Sequence, residues 1–443
     1  MGYFAGGRGA GTICRNDPKG AARKWFLTPF LILCFHTLPL TPHTSRALAE
    51  EPLLHGFLQA NYDMRLTGQH PPGPEGGDFL FGEERLQLRL DKSSEKGRLF
   101  IRTDFFHDAI ANRPDLEVRE AYVDTSMGIS DVRVGRQLLI WGVGDYLFIN
   151  DVFAKDWGAF FSGRPIEYLR VPQDALKLDL GTRTVSAEIV AMPFFKADKL
   201  PPRNRFLQFD PFPGVARSTQ QPALEFQNTE LAARVYGTTW GFDTALYLYR
   251  GFLHMPALQP NQISAPTLVT EAFPRLAVYG ASTRGNALGG VVSLEVGYYD
   301  SLSDQAGRDP AIPNSSFRYL VGYQQQPWED FTVGLQYYGE QMFHYNTYRA
   351  AVPSGFPSQD QHRQLMTLRL TQLFWNQTLR VGLFAFYSPT DQDYYLIPEI
   401  RYSINDNLWV SATGNIFGGR SATTFFGQFD ANDNLAMTVR YEF

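Results

Sequence analysis

One long stretch of the chain sets charges of both signs among glycines and aromatic rings. Between Leu138 and Asp174 stand Asp145, Asp151, Lys155, Asp156, Arg164, Glu167 and Arg170. Glycines and aromatics interleave them, as in Trp141-Gly142-Val143-Gly144 and Asn150-Asp151-Val152-Phe153. Fixed charges of both signs that converge on a narrow passage decide which ions or polar solutes go through. The same residues could instead pin a loop to a wall through internal salt bridges. Both readings can hold, and both need elements that bring the loop to a lumen.

Covalent chemistry has no comparable constellation. Of the eight His residues, His36 and His43 fall in the N-terminal region, and no pair shows metal-ligand spacing within one strand or helix. His254 and His344 read as loop residues in solvent rather than halves of a Ser-His pair. Glu83-Glu84, and Asp391 with Asp393, read as turn and rim residues. No loop carries the aspartate pattern of a Ca²⁺ site. The chain is therefore expected to be no enzyme and to need neither metal nor cofactor.

The elements that would hold the charged loop are strands. Aromatics make up 14% of the 443 residues and charged residues only 19%, while mean hydropathy is slightly negative. No apolar run after residue 49 reaches the roughly 20 residues of a membrane helix. Instead, short segments alternate with period two. Phe331, Val333, Leu335 and Tyr337 alternate with Thr332, Gly334, Gln336 and Tyr338. Val292, Leu294, Val296 and Tyr298 alternate with Ser293, Glu295, Gly297 and Tyr299, and Leu86, Leu88 and Leu90 with Arg85, Gln87 and Arg89. The expected fold is all-β: a transmembrane, antiparallel, up-and-down β-barrel of about 18 strands (16–20), the number being even. The alternation turns Arg85, Arg89, Arg102, Arg133, Arg318, Arg369, Arg401 and Arg440 toward the lumen, with Lys177, Arg234 and Arg380. Glu295 and Glu340 face them, among an equal number of inward carboxylates. Such a balance lets much of the charge pair across strands and argues against a dedicated polyanion conduit.

The connections set the two rims apart. Tight turns are expected at Asp91–Gly97, Thr125–Ser130, Gly181-Thr182, Thr239–Gly241, Gly285-Asn286, Gln326–Asp330, Trp375-Asn376 and Asn405–Asn407. Long ones are expected at Thr67–Asp78, Leu138–Asp174, Pro193–Asn228, Gly251–Ala272, Ser301–Ser315, Phe343–His362 and Gly418–Asn434. Short periplasmic turns and long extracellular loops are what an outer-membrane barrel shows. Trp240, Trp328, Trp375 and Trp409 fall beside the short turns. Tyr249, Tyr298, Tyr299, Tyr337, Tyr338, Tyr387, Tyr394 and Tyr395 fall toward the loops, as two aromatic belts at headgroup level would.

The N-terminus reads as an address. Arg23 and Lys24 precede the apolar stretch Trp25–Leu40, and Ala47-Leu48-Ala49 offers a cleavage site. Residues 1–49 are expected to be an extension plus a cleaved signal peptide, and 50–443 the barrel. Both cysteines, Cys14 and Cys34, go with the leader, so no disulfide or thiolate chemistry is left. Six basic residues and one acidic one go too, which takes the net charge from −5 to −10 and excludes nucleic acid as a partner. The first strand is expected near Leu54 with no plug ahead of it, which sets aside plugged transporters of about 22 strands. At the other end, Leu435–Phe443 alternates and closes on Phe443, read as an assembly signal for the barrel-insertion machinery.

Val134-Gly135-Arg136-Gln137, then Trp141-Gly142, Ile149-Asn150-Asp151-Val152 and Gly163-Arg164-Pro165, resemble a stretch of a porin-like outer-membrane β-barrel family of uncharacterised function. The chain is also broadly similar to alginate-export-type barrels. The resemblance implies a bacterial outer-membrane location in a Gram-negative cell, with membrane lipid and lipopolysaccharide around the barrel. The expected function is passive diffusion of small hydrophilic solutes through a lumen narrowed by the third loop, 138–174. The alternatives are a selective channel or exporter for an acidic or sugar-like polymer, and a non-conducting receptor or adhesin that works through its outer loops. Homo-oligomerisation is left open.

Overall fold

The computed structural model describes residues 53–95 and 97–443. The expected leader and cleavage site lie outside the described residues. Eighteen strands form a single sheet, and every pairing within it is antiparallel. The first, Leu53–Arg65, pairs with the last, Asn434–Glu442, from Phe57 opposite Glu442 to Arg65 opposite Asn434. Backbone hydrogen bonds of 2.8 and 2.9 Å between Gly56 and Phe443 complete the seam. Closure leaves no strand edge, so no backbone N–H or C=O row is offered to lipid.

The inside of this barrel is polar and the outside apolar, the reverse of a soluble sandwich. In Asn434–Glu442 the inward Asn434, Ala436, Thr438 and Arg440 are buried, while Met437, Val439 and Tyr441 stand exposed on the outer face. The same split places Asn61, Asp63, Arg85, Asp104, Glu295 and Asn415 inside and Leu58, Leu246, Leu248, Val321 and Leu335 outside. An apolar outer band of this kind is stable only against hydrocarbon, which makes the molecule an outer-membrane barrel.

The short rim is built from tight turns. Trp240-Gly241 has φ of +54° and +80°, and Leu288-Gly289 has +55° and +75°. Two successive positive values match the twist of the flanking strands, and glycine carries the second position without a Cβ clash. The second of these turns lies beyond the expected Gly285-Asn286, because the paired strands run on through Ala287 and Gly290. At the long rim, Ala216–Gln220, Ala257–Pro260 and Leu268–Ala272 form a separate three-stranded sheet. It lies inside loops expected to be irregular, and its first and last strands pair in parallel.

The aromatic belts need a correction. Trp240, Trp328 and Trp375 are exposed outward at the short rim, and Tyr298, Tyr387 and Tyr394 at the long one. Trp409, Tyr249, Tyr299 and Tyr395 are instead buried inside the barrel, and the inward Tyr338, opposite Leu320 and Leu365, is half-buried there. Period-two parity, not distance from the rim, decides which side a ring takes.

Candidate functional site: the third loop inside the lumen

The connection between Ser130–Gln137 and Gln173–Gly181 is the third on the long rim, after 66–78 and the tight 109–112. The strand starts at Gln173, so the loop spans 138–172, two residues shorter than expected. It folds into the barrel and meets the wall almost all the way round.

It enters on an indole. Trp141 Nε1 donates to Glu188 Oε1 at 2.8 Å. Next comes a single carboxylate that holds a whole turn. Glu295 is 1% exposed; its Oε2 accepts from the backbone N–H of Val143 and Gly144 at 2.9 and 3.1 Å. Its Oε1 accepts from the N–H and the side-chain amide of Asn150 at 2.8 and 3.0 Å. Donors converging on a buried carboxylate are charge-assisted and strong. The wall is hollowed for this turn. Gly280 and Gly297 face each other on adjacent strands. A Cβ on Gly280 would stand 1.7 Å from Asn150 Oδ1, and one on Gly297 2.7 Å from Ile149 Cγ2. Tyr299 Oη donates to the Ile149 carbonyl at 2.5 Å.

From there the loop crosses the lumen. Gln336 brackets Asp145, accepting from its N–H at 2.8 Å and donating to its C=O at 2.9 Å. The Asp145 carboxylate meets Arg369 at 2.7 Å. Tyr146, held at φ +59°, sets its ring against Phe384, and burial pushes its hydroxyl up to about 12. Asp156 caps the five-residue helix Trp157–Phe161 by accepting from Ala159 N–H at 2.7 Å. Phe160 and Phe161 then pack on Tyr395 and Phe417, with Phe426 and Phe429 of the last loop in the same cluster. Tyr168 sits among the guanidinium groups of Arg85, Arg119 and Arg164, 4.4 to 5.1 Å from its ring. Glu167 reaches Arg440 at 2.9 Å.

The seven charges picked out in this loop therefore divide. Asp151 and Lys155 form a buried pair at 2.9 Å, and Arg170 joins Asp151 at 3.3 Å. These three and the capping Asp156 hold the loop's own shape and line none of the cavities beneath it. Asp145, Arg164 and Glu167 do border open space. Local spacing cannot separate the two groups, because which ones face the lumen depends on where the loop lands.

Below the loop lie three cavities in file. The one at the short-turn mouth, about 550 Å³, is lined by Asn286, Gln324, Gln326 and Thr332. The next, about 180 Å³, shares Val291 and Gln324 with it and adds Arg284, Ser293 and Asp145. The third, about 320 Å³, shares Arg369 with the second and adds Arg164, Arg380, Arg401, Arg440, Glu167 and Glu399. The Asp145–Arg369 pair stands where the second and third meet.

The inward charges are balanced in number but not in place. Arg85 is buried between Glu83 and Asp104. Arg102 pairs with Glu120 at 2.7 Å and Arg133 with Asp124 at 2.6 Å. Arg89 approaches Asp91 at 3.9 Å, and Arg318 meets Glu340 at 3.0 Å. The cavity wall from Arg369 to Arg440 holds a surplus of guanidinium groups. Arg284 was not among the expected inward residues, and Trp409, expected in the belt, is 7% exposed inside the barrel. The signal for Trp409 was available in Arg440, the inward residue opposite it.

Fold and loop together define a class: a closed outer-membrane β-barrel whose third loop folds inward. The chain belongs to the family described as "Protein of unknown function (DUF1302)", whose profile matches residues 84–306. No curated protein matches the sequence. Among solved structures, the chain is similar to Pseudomonas aeruginosa OccK2 (OpdF), crystallised in complex with glucuronate. The TM-score is 0.55 at 9% identity, covering 90% of this chain and 99% of that one. Pseudomonas aeruginosa OpdK gives 0.53 at 9% identity over 89% and 100%. Acinetobacter baumannii OccAB3 gives 0.52 at 10% over 89% and 99%. At this identity the likeness is one of fold.

Proposed function

We infer that the protein is a porin-like channel that passes small hydrophilic solutes across the outer membrane and is narrowed by its third loop. The observation that carries this reading is the loop's attachment. Glu295, Gln336 and Arg369 clamp its first half across the lumen, above a file of cavities lined by amides, hydroxyls and guanidinium groups. A loop fixed inside a wide barrel leaves a passage of small cross-section, and charges on its rim act as the filter. Phe443, exposed and bonded into the seam beside Gly56, fits a role as an assembly signal.

The test is conductance of the refolded protein in planar bilayers, with the reversal potential in a KCl gradient. Stable current steps whose selectivity shifts toward anions in D145N would support the channel. Silence from a correctly folded, heat-modifiable barrel would sink it. That outcome would promote the receptor reading, which the ordered three-stranded sheet on the outer loops favours.

A further inference from the structure

On the strands Leu379–Ser388 and Asp393–Ser403 the inward side chains form a graded ladder. Phe386 faces Tyr395, Phe384 faces Ile397, Gly382 faces Glu399, and Arg380 faces Arg401. The upper rungs are apolar, the third is opened by a glycine, and the lowest places two guanidinium groups opposite each other. Like charges at a direct cross-strand position repel. Only one of the two has an ion pair: Glu399 reaches Arg380 at 3.4 Å, while Glu399 and Glu442 act on Arg401 from beyond ion-pair distance. Arg401 forms no ion pair or hydrogen bond among the described residues. It stacks instead on the Trp409 ring at 3.9 Å, with Arg440 over the same ring at 5.2 Å. Stacking uses the flat face of a guanidinium and leaves its in-plane N–H fork free, the geometry that grips a carboxylate. All of these groups except Phe386 border the cavity of about 320 Å³, and Tyr146 and Phe160 of the third loop form its roof.

We propose that this cavity is a binding subsite for amphipathic organic anions. The carboxylate sits on Arg401 and Arg380, and an apolar ring lies against Phe384, Ile397 and Tyr146. The inference rests on the channel reading and names its solute class. A cation is excluded by the guanidinium pair, and a wholly hydrophilic anion would leave the apolar wall unused. Occupation removes the Arg380–Arg401 repulsion and covers that wall, so the two halves of the ligand reinforce each other.

The experiment is calorimetric titration of the refolded full barrel in detergent with benzoate, acetate and benzyl alcohol. Benzoate is expected to bind saturably, at least tenfold more tightly than either comparator. R401Q is expected to weaken it tenfold or more, and F384A to reduce the margin of benzoate over acetate. Benzoate binding no tighter than acetate, or left unchanged by R401Q, would overturn the subsite. If the variants fail to fold, the three-ligand comparison on the native chain still decides. Because binding is read without a membrane, its failure is separable from that of the channel: a barrel that conducts but prefers acetate loses the subsite alone.

Discussion

At the scale of single residues, Glu295 does the most. It is a carboxylate in the wall whose four bonds all go to the loop. Replacing it by Gln keeps the shape but removes the charge and turns one acceptor oxygen into a donor amide facing N–H groups. Breaking a buried charge-assisted set costs about 1–3 kcal/mol. E295Q is therefore expected to lower the urea midpoint of unfolding. It should also give noisier, larger current steps, because the loop's first half is released. Unchanged midpoint and unchanged current would mean that the turn is held by packing alone. Asp145 works differently. Partly exposed and paired with Arg369, it contributes about 0–1 kcal/mol of stability but neutralises a guanidinium where two cavities meet. D145N should leave the unfolding midpoint within experimental error while moving the reversal potential toward chloride. A cation-ward shift would count against Arg369 as part of the passage.

At the scale of elements, the third loop is shaped by its seat as much as by its own sequence. Two glycines on neighbouring strands make a notch that Ile149 and Asn150 enter, and any side chain there would collide with them. In a strand glycine is ordinarily a weakness; here it admits another backbone. G280V should force the loop off the wall. The expected result is a barrel that still migrates as folded but in which a protease cuts within 142–150 while the native chain resists. Equal resistance would show that the turn can find another seat. At the loop's far end, D156A removes the cap of the short helix and should cost about 1 kcal/mol, read as a small drop in the unfolding midpoint with conductance unchanged.

At the scale of the whole molecule, closure and charge placement govern behaviour. The charges between Glu83 and Arg234 are largely cross-linked in pairs, while the wall from Arg369 to Arg440 carries the surplus. A lumen charged on one side should favour anions at low ionic strength and lose that preference as salt screens it. The screening length falls from about 30 Å at 0.01 M to about 3 Å at 1 M. Reversal potentials measured across that range should converge on the value for free diffusion. A salt-independent preference would place the selectivity in a direct binding contact rather than in the field of the wall.

The sequence by itself determined the barrel. Period-two alternation, tight turns against long loops, and parity along each strand need only the geometry of a pleated strand, and they are what turned the expected set from Arg85 to Arg440 toward the lumen. Parity applied to Arg284 would have added it, and applied to Trp409, opposite Arg440, would have moved that ring from the belt to the lumen. What the tertiary structure alone decided is the site. Asp145 faces open space while Asp151 and Lys155 neutralise each other, and Arg401 is left without an ion pair while Arg102 has one. Those outcomes depend on where residues 138–172 come to rest against strands as distant as Gly290–Ser301 and Asn434–Glu442. A loop has no fixed period to read: its side chains take their directions from the notch and carboxylate that receive it, and these lie far away in the chain.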